Sequence, residues 1–247
     1  LDASRQASAW SDWTWQMRHA LDAVDLARLG LLQNDAAAAA AIRYPACVTP
    51  YYLDAGDPAD PADPLRRQWL PDAGECDAAP GDSADPFGEA GSTPVPGVVH
   101  RFPDRVLVLT SARCAVRCRH CTRKNALEGC AVVRRVPEVR AAVEYVRAHP
   151  AVREVILSGG DPLLDSDTAL LRRVRAFAAL PQIDAVRIGT RVPATLPMRI
   201  TAGLAGALGA FGKVWVNTQF NHAAELTGEA VAACARLVGA GIPVSNQ

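Results

Sequence analysis

The chain has 247 residues, 49% hydrophobic and 21% charged, which leaves ample apolar surface for a core and argues against global disorder. Lys plus Arg balance Asp plus Glu at 26 each, so bulk charge gives no reason to expect nucleic acid or an anionic membrane as a partner. No apolar run reaches the length of a membrane span, the alanines at 36–41 included, and no basic stretch followed by an apolar core marks an export signal.

Along the chain, Trp13, Met17, Leu21, Val24, Leu31 and Leu32 recur at helical spacing. With Ser11 or Asp12 as a cap, this predicts helix over 12–32. Residues 45–103 hold most of the 18 prolines, including the Asp-Pro repeat from Asp57 to Pro64. Regular helix and central strand are not expected there. Tyr51, Tyr52, Leu65, Trp69, Leu70 and Phe87 nevertheless give that stretch something to bury, so it reads as irregular structure rather than a disordered linker.

From residue 105 short β-rich runs recur at Val106–Thr110, Val155–Ser158, Val186–Thr190, Val214–Thr218 and Ile242–Ser245. Helical patterns lie between most of them, at 138–148, 167–179, 197–209 and 223–239. Strands alternating with helices imply a parallel sheet, and ligand sites in such folds collect at the C-terminal strand ends. The residues just past these runs suit that role: Ser111 to Cys114, Gly159-Gly160-Asp161, Arg191 and Gln219.

Seven cysteines are present, an odd number, and three sit within eight residues: Cys114, Cys118 and Cys121. That is too close for a disulfide framework, and with no export signal a reducing compartment and metal binding are the better reading. The pattern CxxxCxxC follows the first β run. Three thiolates can hold three irons of a [4Fe–4S] cluster and leave the fourth iron open for chemistry, since clusters held wholly by protein use four cysteines. Zinc with His120 is an alternative, although no second ligand pair is visible; plain buried cysteines are another. One strand later, Gly159-Gly160-Asp161 forms a turn whose glycines permit close backbone approach and whose acid could meet an ammonium group.

These stretches, with Trp10-Ser-Asp-Trp-Thr-Trp-Gln16, Thr49-Pro-Tyr-Tyr52, Pro94-Val-Pro-Gly97, His100-Arg-Phe-Pro-Asp-Arg105, Cys118-Arg-His-Cys-Thr-Arg123, Arg187-Ile-Gly-Thr-Arg-Val-Pro193, Asn217-Thr-Gln-Phe-Asn-His222 and Gly241-Ile-Pro-Val-Ser-Asn-Gln247, resemble the lysine 2,3-aminomutase family of radical S-adenosylmethionine, pyridoxal-phosphate enzymes. The resemblance implies an α/β fold: a partial (β/α) barrel over 100–247, cut after about five strands, preceded by a helical and Pro-rich region over 1–99. It also implies an isomerase that moves the amino group of an L-amino acid from C2 to C3. A 5′-deoxyadenosyl radical and a pyridoxal phosphate aldimine would mediate the shift, with lysine the family's commonest substrate and glutamate and arginine the others. A reducing partner such as flavodoxin or ferredoxin, a cytoplasmic location and room for a homo-oligomer come with it.

By motif, the resemblance assigns Cys114, Cys118 and Cys121 to the cluster and Arg123 to the substrate carboxylate. Arg101 and Arg105 fall to the pyridoxal phosphate group. His120, Gly159, Gly160, Asp161, Gln219 and Gln247 fall to S-adenosylmethionine. Cys47, Cys76, Cys130, Cys234 and His222 read as bystanders. Phe102 stands where the family usually has Tyr, and Gln219 where it usually has His. Neither Lys124 nor Lys213 matches the family's pyridoxal lysine motif, so the expectation is a chain that does not carry the whole active site. Two other readings stay open: radical chemistry without pyridoxal phosphate, and a cluster-binding remnant without activity.

Overall fold

A computed structural model describes residues 9–32, 35–77, 79–126 and 130–247. The expected helix over 12–32 is two helices, α1 (Trp13–Arg18) and α2 (Ala23–Arg28). The break has a local cause. Asp22 accepts from the amides of Val24 (2.8 Å) and Asp25 (3.1 Å), and the Asp25 carboxylate accepts from the Asp22 amide, which starts a new helix. Leu21, just before it, instead pairs its backbone with Val48.

The Pro-rich stretch is more regular than expected. After α3 (Asp35–Arg43) it contains α4 (Pro50–Asp54) and α5 (Arg66–Trp69). Proline opens α4 at its first turn, where no amide hydrogen bond is lost, and Thr49 caps it. The Asp-Pro repeat is a run of side-chain turns: Asp57 accepts from the Ala59 amide, Asp60 from Ala62 and Asp63 from Leu65. Tyr51, Tyr52, Leu65 and Trp69 are buried together with Leu26 and Val116. Phe87 is not buried; it stays 44% exposed.

A six-stranded sheet runs in chain order: β1 (Val98–Phe102), β2 (Arg105–Ser111), β3 (Glu154–Gly159), β4 (Ala185–Gly189), β5 (Val214–Thr218) and β6 (Val244–Asn246). The five expected strands are β2 to β6, all parallel. β1 was not expected. It pairs antiparallel with β2 as a hairpin at the sheet edge, the position where a neighbouring Pro103 is tolerated. Residues 99 and 100, where the Pro-rich region was expected to give way to the barrel, both lie inside this strand.

The register explains the core. Val106, Val155, Val186 and Val214 form one row across the sheet, and Val108, Leu157, Ile188 and Val216 the next-but-one. These rows face helices α6 (Val136–Arg147), α7 (Asp167–Ala178), α9 (Ala202–Gly209) and α10 (Gly228–Gly239), whose Val146, Leu170, Phe177, Leu204, Leu208 and Leu237 complete one apolar cluster. Each such side chain contributes about 1.5–3 kcal/mol relative to exposure. The intervening row, with Leu107, Ile156 and Arg187 partly covered and Trp215 exposed, faces the other side of the sheet. This is the half-closed (β/α) barrel expected. Two helices are shorter than their patterns. Short α8 (Val192–Thr195) and a 3-10 turn at Pro197–Arg199 precede α9, and a 3-10 turn at Ala223–Glu225 precedes α10, which Thr227 caps. No helix among the described residues is long and apolar enough to cross a membrane.

Candidate active site

The cysteine triplet occupies the loop after β2, at the C-terminal end of the parallel strands, and the loop is held from two sides. On one side is the β3 turn. The Gly160 amide donates to the Ser111 carbonyl (2.6 Å) and the Asp161 amide to the Arg113 carbonyl (2.7 Å). Gly159 adopts φ +113°, and a Cβ on Gly160 would stand 2.4 Å from the Arg113 carbonyl oxygen. The two glycines are therefore required by the cysteine loop itself, which is the close approach they permit.

On the other side is the N-terminal region. Arg119 makes two bonds of 2.8 Å to the Glu75 carboxylate and Lys124 one of 3.0 Å, while the Arg119 amide donates to the Gln68 carbonyl. The Arg117 amide donates to the Cys47 carbonyl (2.9 Å), and the Cys47 thiol lies 3.7 Å from the carbonyls of Cys114 and Ala115. Cys47, expected to be a bystander, thus backs the loop.

All three cysteines line one small cavity of about 50 Å³ with Tyr44, Arg117, Arg119 and Lys124. Among the described residues no three His, Cys, Asp or Glu side chains converge on a single ion position. Three thiols on one cavity are a donor set suited to an iron–sulfur group. Burial pushes the Cys114 thiol well above its ordinary value, and the neighbouring Asp161 charge adds to the shift. Burial also raises Cys118, but there Arg191 works against it. A group that binds both as thiolates must bring positive charge of its own, as iron does.

Arg191, at the end of β4, is the hub of the site, and pattern reading had marked it only as a polar residue after a strand. Its Nη1 donates to Cys118 Sγ (2.8 Å), and its Nη2 to Glu225 (2.7 Å) and Gln68 (2.8 Å). Its Nε donates to the Gln219 carbonyl (3.1 Å). Glu225 is buried and also accepts from Tyr52 and Gln68. Burial works to discharge Arg191, but Cys118, Tyr52 and Glu225 outweigh it and its pKa is raised. Gln68, Glu75 and Glu225 lie in no motif singled out above; only the chain's long-range folding brings them here.

The other assigned residues fall into three groups. His120 and Gln219 meet at the mouth through Asn221, which lies 3.3 Å from His120 Nε2 and accepts from Gln219 Nε2 (2.9 Å). Burial lowers the His120 pKa, and Arg191 pushes it the same way. Gln247 lies beside them, its amide donating to the Thr218 carbonyl (2.9 Å). Asp161 differs from expectation. Its carboxylate is buried and accepts from Thr190 Oγ1 (2.7 Å), the Leu163 amide (3.0 Å) and the Arg191 amide (2.9 Å), so it ties the β3 and β4 ends together rather than facing a ligand ammonium. Burial raises its pKa against the bond from Thr190.

Arg123 also differs. Its guanidinium is bound two-fold by Glu89, so a carboxylate from the chain already fills the place expected for the substrate's. Arg105 opens the seven-residue β2 and Arg101 lies near the end of β1 beside it, so both lie far from the cysteines, roughly 20 Å away along the strand. Their guanidiniums gather on the exposed Phe102 ring at 5.9 and 5.1 Å. Arg105 pairs with Asp104 (3.0 Å), and Arg101 has no acidic partner among the described residues. Two guanidiniums, one exposed and one partly exposed, with one acid between them are a donor set suited to a phosphate. His222 caps the 3-10 turn after β5 through the Ala224 amide, in keeping with a bystander.

Residues 108–245 match the family model described as the Radical SAM superfamily. Over 242 residues the chain is 40% identical to the L-lysine 2,3-aminomutase of Clostridium subterminale, covering 96% of this chain and 58% of that protein. It is 39% identical over 244 residues to the L-lysine 2,3-aminomutase of Bacillus subtilis strain 168, covering 96% of this chain and 51% of that protein. It is 31% identical over 242 residues to the glutamate 2,3-aminomutase of Clostridioides difficile strain 630, covering 96% and 57%. The chain thus spans little more than half the length of these relatives.

Proposed function

Because the chain belongs to the radical S-adenosylmethionine superfamily and, within it, to the lysine 2,3-aminomutase family, we propose that it forms the radical-generating part of an aminomutase acting on an L-amino acid, lysine before glutamate. The observation that carries the reading is the shared cavity of Cys114, Cys118 and Cys121 at the sheet mouth, backed by a glycine turn that no side chain could replace.

In this reading the three cysteines hold a [4Fe–4S] cluster, and the chemistry supplied there is one-electron cleavage of the carbon–sulfur bond of S-adenosylmethionine. The chain's own residues prepare the place. Arg191 fixes Cys118 and donates a hydrogen bond to its sulfur, a contact that tunes a cluster's potential. Glu225 neutralises Arg191 inside the protein. His120, Asn221 and Gln219 present polar edges at the mouth for the nucleoside and methionine parts of the cofactor. Asp161 keeps the β3 and β4 ends at fixed spacing.

Pyridoxal phosphate fits the same reading. Arg101 and Arg105 would hold its phosphate, and its chemistry is to carry the migrating amino group and delocalise unpaired spin. Arg123 would take the substrate carboxylate once Glu89 is displaced, a bidentate task for which Lys is no substitute. The described residues before β1 act as a cover and the sheet with its helices as a partial barrel in this scheme. The test is an anaerobic assay with reductant, S-adenosylmethionine, pyridoxal phosphate and lysine, glutamate or arginine in turn. A β-amino acid product supports the reading. Cleavage of S-adenosylmethionine with no amino shift supports the radical-generating part alone, as expected of a chain that does not carry the whole active site, and no cleavage contradicts the reading.

A further inference from the structure

A second cavity, of about 800 Å³, opens on the outer side of the mouth between the first turns of α6 and α7. Five arginines line it, Arg113, Arg134, Arg135, Arg172 and Arg173, against two acids, Glu138 and Asp165. The acids are already used. Asp165 pairs with the buried Arg173, and Glu138 pairs with Arg135 at 2.5 Å. That leaves Arg113, Arg134 and Arg172, all exposed and without an acidic partner among the described residues. Burial lowers the Arg173 pKa despite Asp165, and the charges of Arg172 and Arg134 lower it further, so the cations press on one another.

The cleft touches the cysteine loop directly. Arg113 precedes Cys114 in the chain, and its carbonyl holds the Asp161 amide. The far side of the loop is covered by Tyr44, Glu75 and Gln68. Arg113 is therefore the exposed edge nearest a cluster ligand on this face. Resting on the cluster reading above, we propose that this basic cleft is where an acidic one-electron carrier protein docks to reduce the cluster. The step is balanced: the carrier loses one electron, the cluster gains it, and no bond or proton moves.

A broad acidic surface suits the cleft better than a small anion does. The Glu138 carboxylate takes the amides of Arg134 and Arg135 (2.9 and 2.8 Å), and Ser166 takes that of Ala169 (3.3 Å). The Arg134, Arg135 and Ala169 amides are thus engaged, and what the lining offers is three spread guanidiniums over a wide opening. Such a surface steers association and makes it salt-dependent.

The test compares anaerobic, cluster-loaded wild type with R134E/R172E and with the charge-matched control R140E/R175E, whose residues sit on α6 and α7 outside the cleft lining. Reduced ferredoxin and dithionite serve as separate donors. Docking at the cleft predicts that ferredoxin reduces R134E/R172E about ten-fold or more slowly at low ionic strength and with little salt dependence, while dithionite rates and the control are unchanged. Equal ferredoxin rates in all three proteins, or equal losses in both variants, would overturn it. So would pyrophosphate binding that needs Arg134 and Arg172 while ferredoxin-driven reduction stays normal, which would assign the cleft to a small anion. A wild-type chain that dithionite itself cannot reduce would contradict the cluster reading instead.

Discussion

The two ends of β2 both carry cationic side chains, and they are built in opposite ways. At the mouth, Arg119, Lys124, Arg123 and Arg191 are each matched to an acid from a distant part of the chain, Glu75, Glu89 or Glu225, and all are at least half-buried. At the hairpin end, Arg101 and Arg105 lie over an exposed ring, with only an exposed Asp104 nearby. The mouth is ordered in advance by the fold, at the cost of burying charge. The hairpin end costs the fold little and is ordered by whatever it binds. Removing a partner should therefore be severe at the first site and nearly silent for stability at the second.

The largest effect is expected at Glu225. Glu225→Ala leaves the buried Arg191 without its counter-charge and orphans Tyr52 and Gln68, which should cost about 3–5 kcal/mol in urea unfolding. A loss under about 1 kcal/mol would break the contrast. Next is Gly160→Ala. Its Cβ would meet the Arg113 backbone at 2.4 Å, so the cysteine loop must shift; about 1–3 kcal/mol and a reduced iron content are expected. An unfolding curve and iron load like those of wild type would show that the loop is not held by this turn.

Tyr51 sharpens the comparison through pH. Its hydroxyl is 2.5 Å from Thr227 Oγ1, joining the N-terminal region to the cap of α10, and burial pushes its pKa up to about 12. The folded chain keeps that proton longer than the unfolded chain does. The contribution is therefore complete below pH 10 and is lost as pH rises from 10 to 12. Tyr51→Phe should flatten that part of the stability profile; an unaltered slope would count against the contact. The smallest stability effect is expected at the hairpin. Arg101→Ala should change unfolding by no more than about 0.5 kcal/mol while weakening pyridoxal phosphate binding about ten-fold. A large stability loss there would erase the distinction between the two ends.

Much of this was legible in local pattern, and the exceptions have physical reasons. The parallel strands announced themselves because alternate Val and Ile positions face helices, and the triplet because three close cysteines have few other uses. The edge strand β1 was hidden by flanking prolines, and the break after α1 by a capping pair of aspartates. Arg191 is a residue in a common position; its role depends on Cys118, Gln68 and Glu225, which lie 73, 123 and 34 positions away. Asp161 was read as an acid that could meet an ammonium group, whereas Thr190 and the Arg191 amide hold its carboxylate inside the fold. Glu89, in the Pro-rich stretch, gave no sign that it would hold Arg123.

The central claim is that the mouth is a prepared cluster site, and iron and acid-labile sulfide per chain after anaerobic reconstitution test it most directly. The account predicts four of each in wild type and in a variant with Cys76, Cys130 and Cys234 replaced by Ala, and loss of the cluster on replacing any one of Cys114, Cys118 or Cys121. Undiminished iron and sulfide in Cys118→Ala, or one tightly held zinc in place of the cluster, would contradict it.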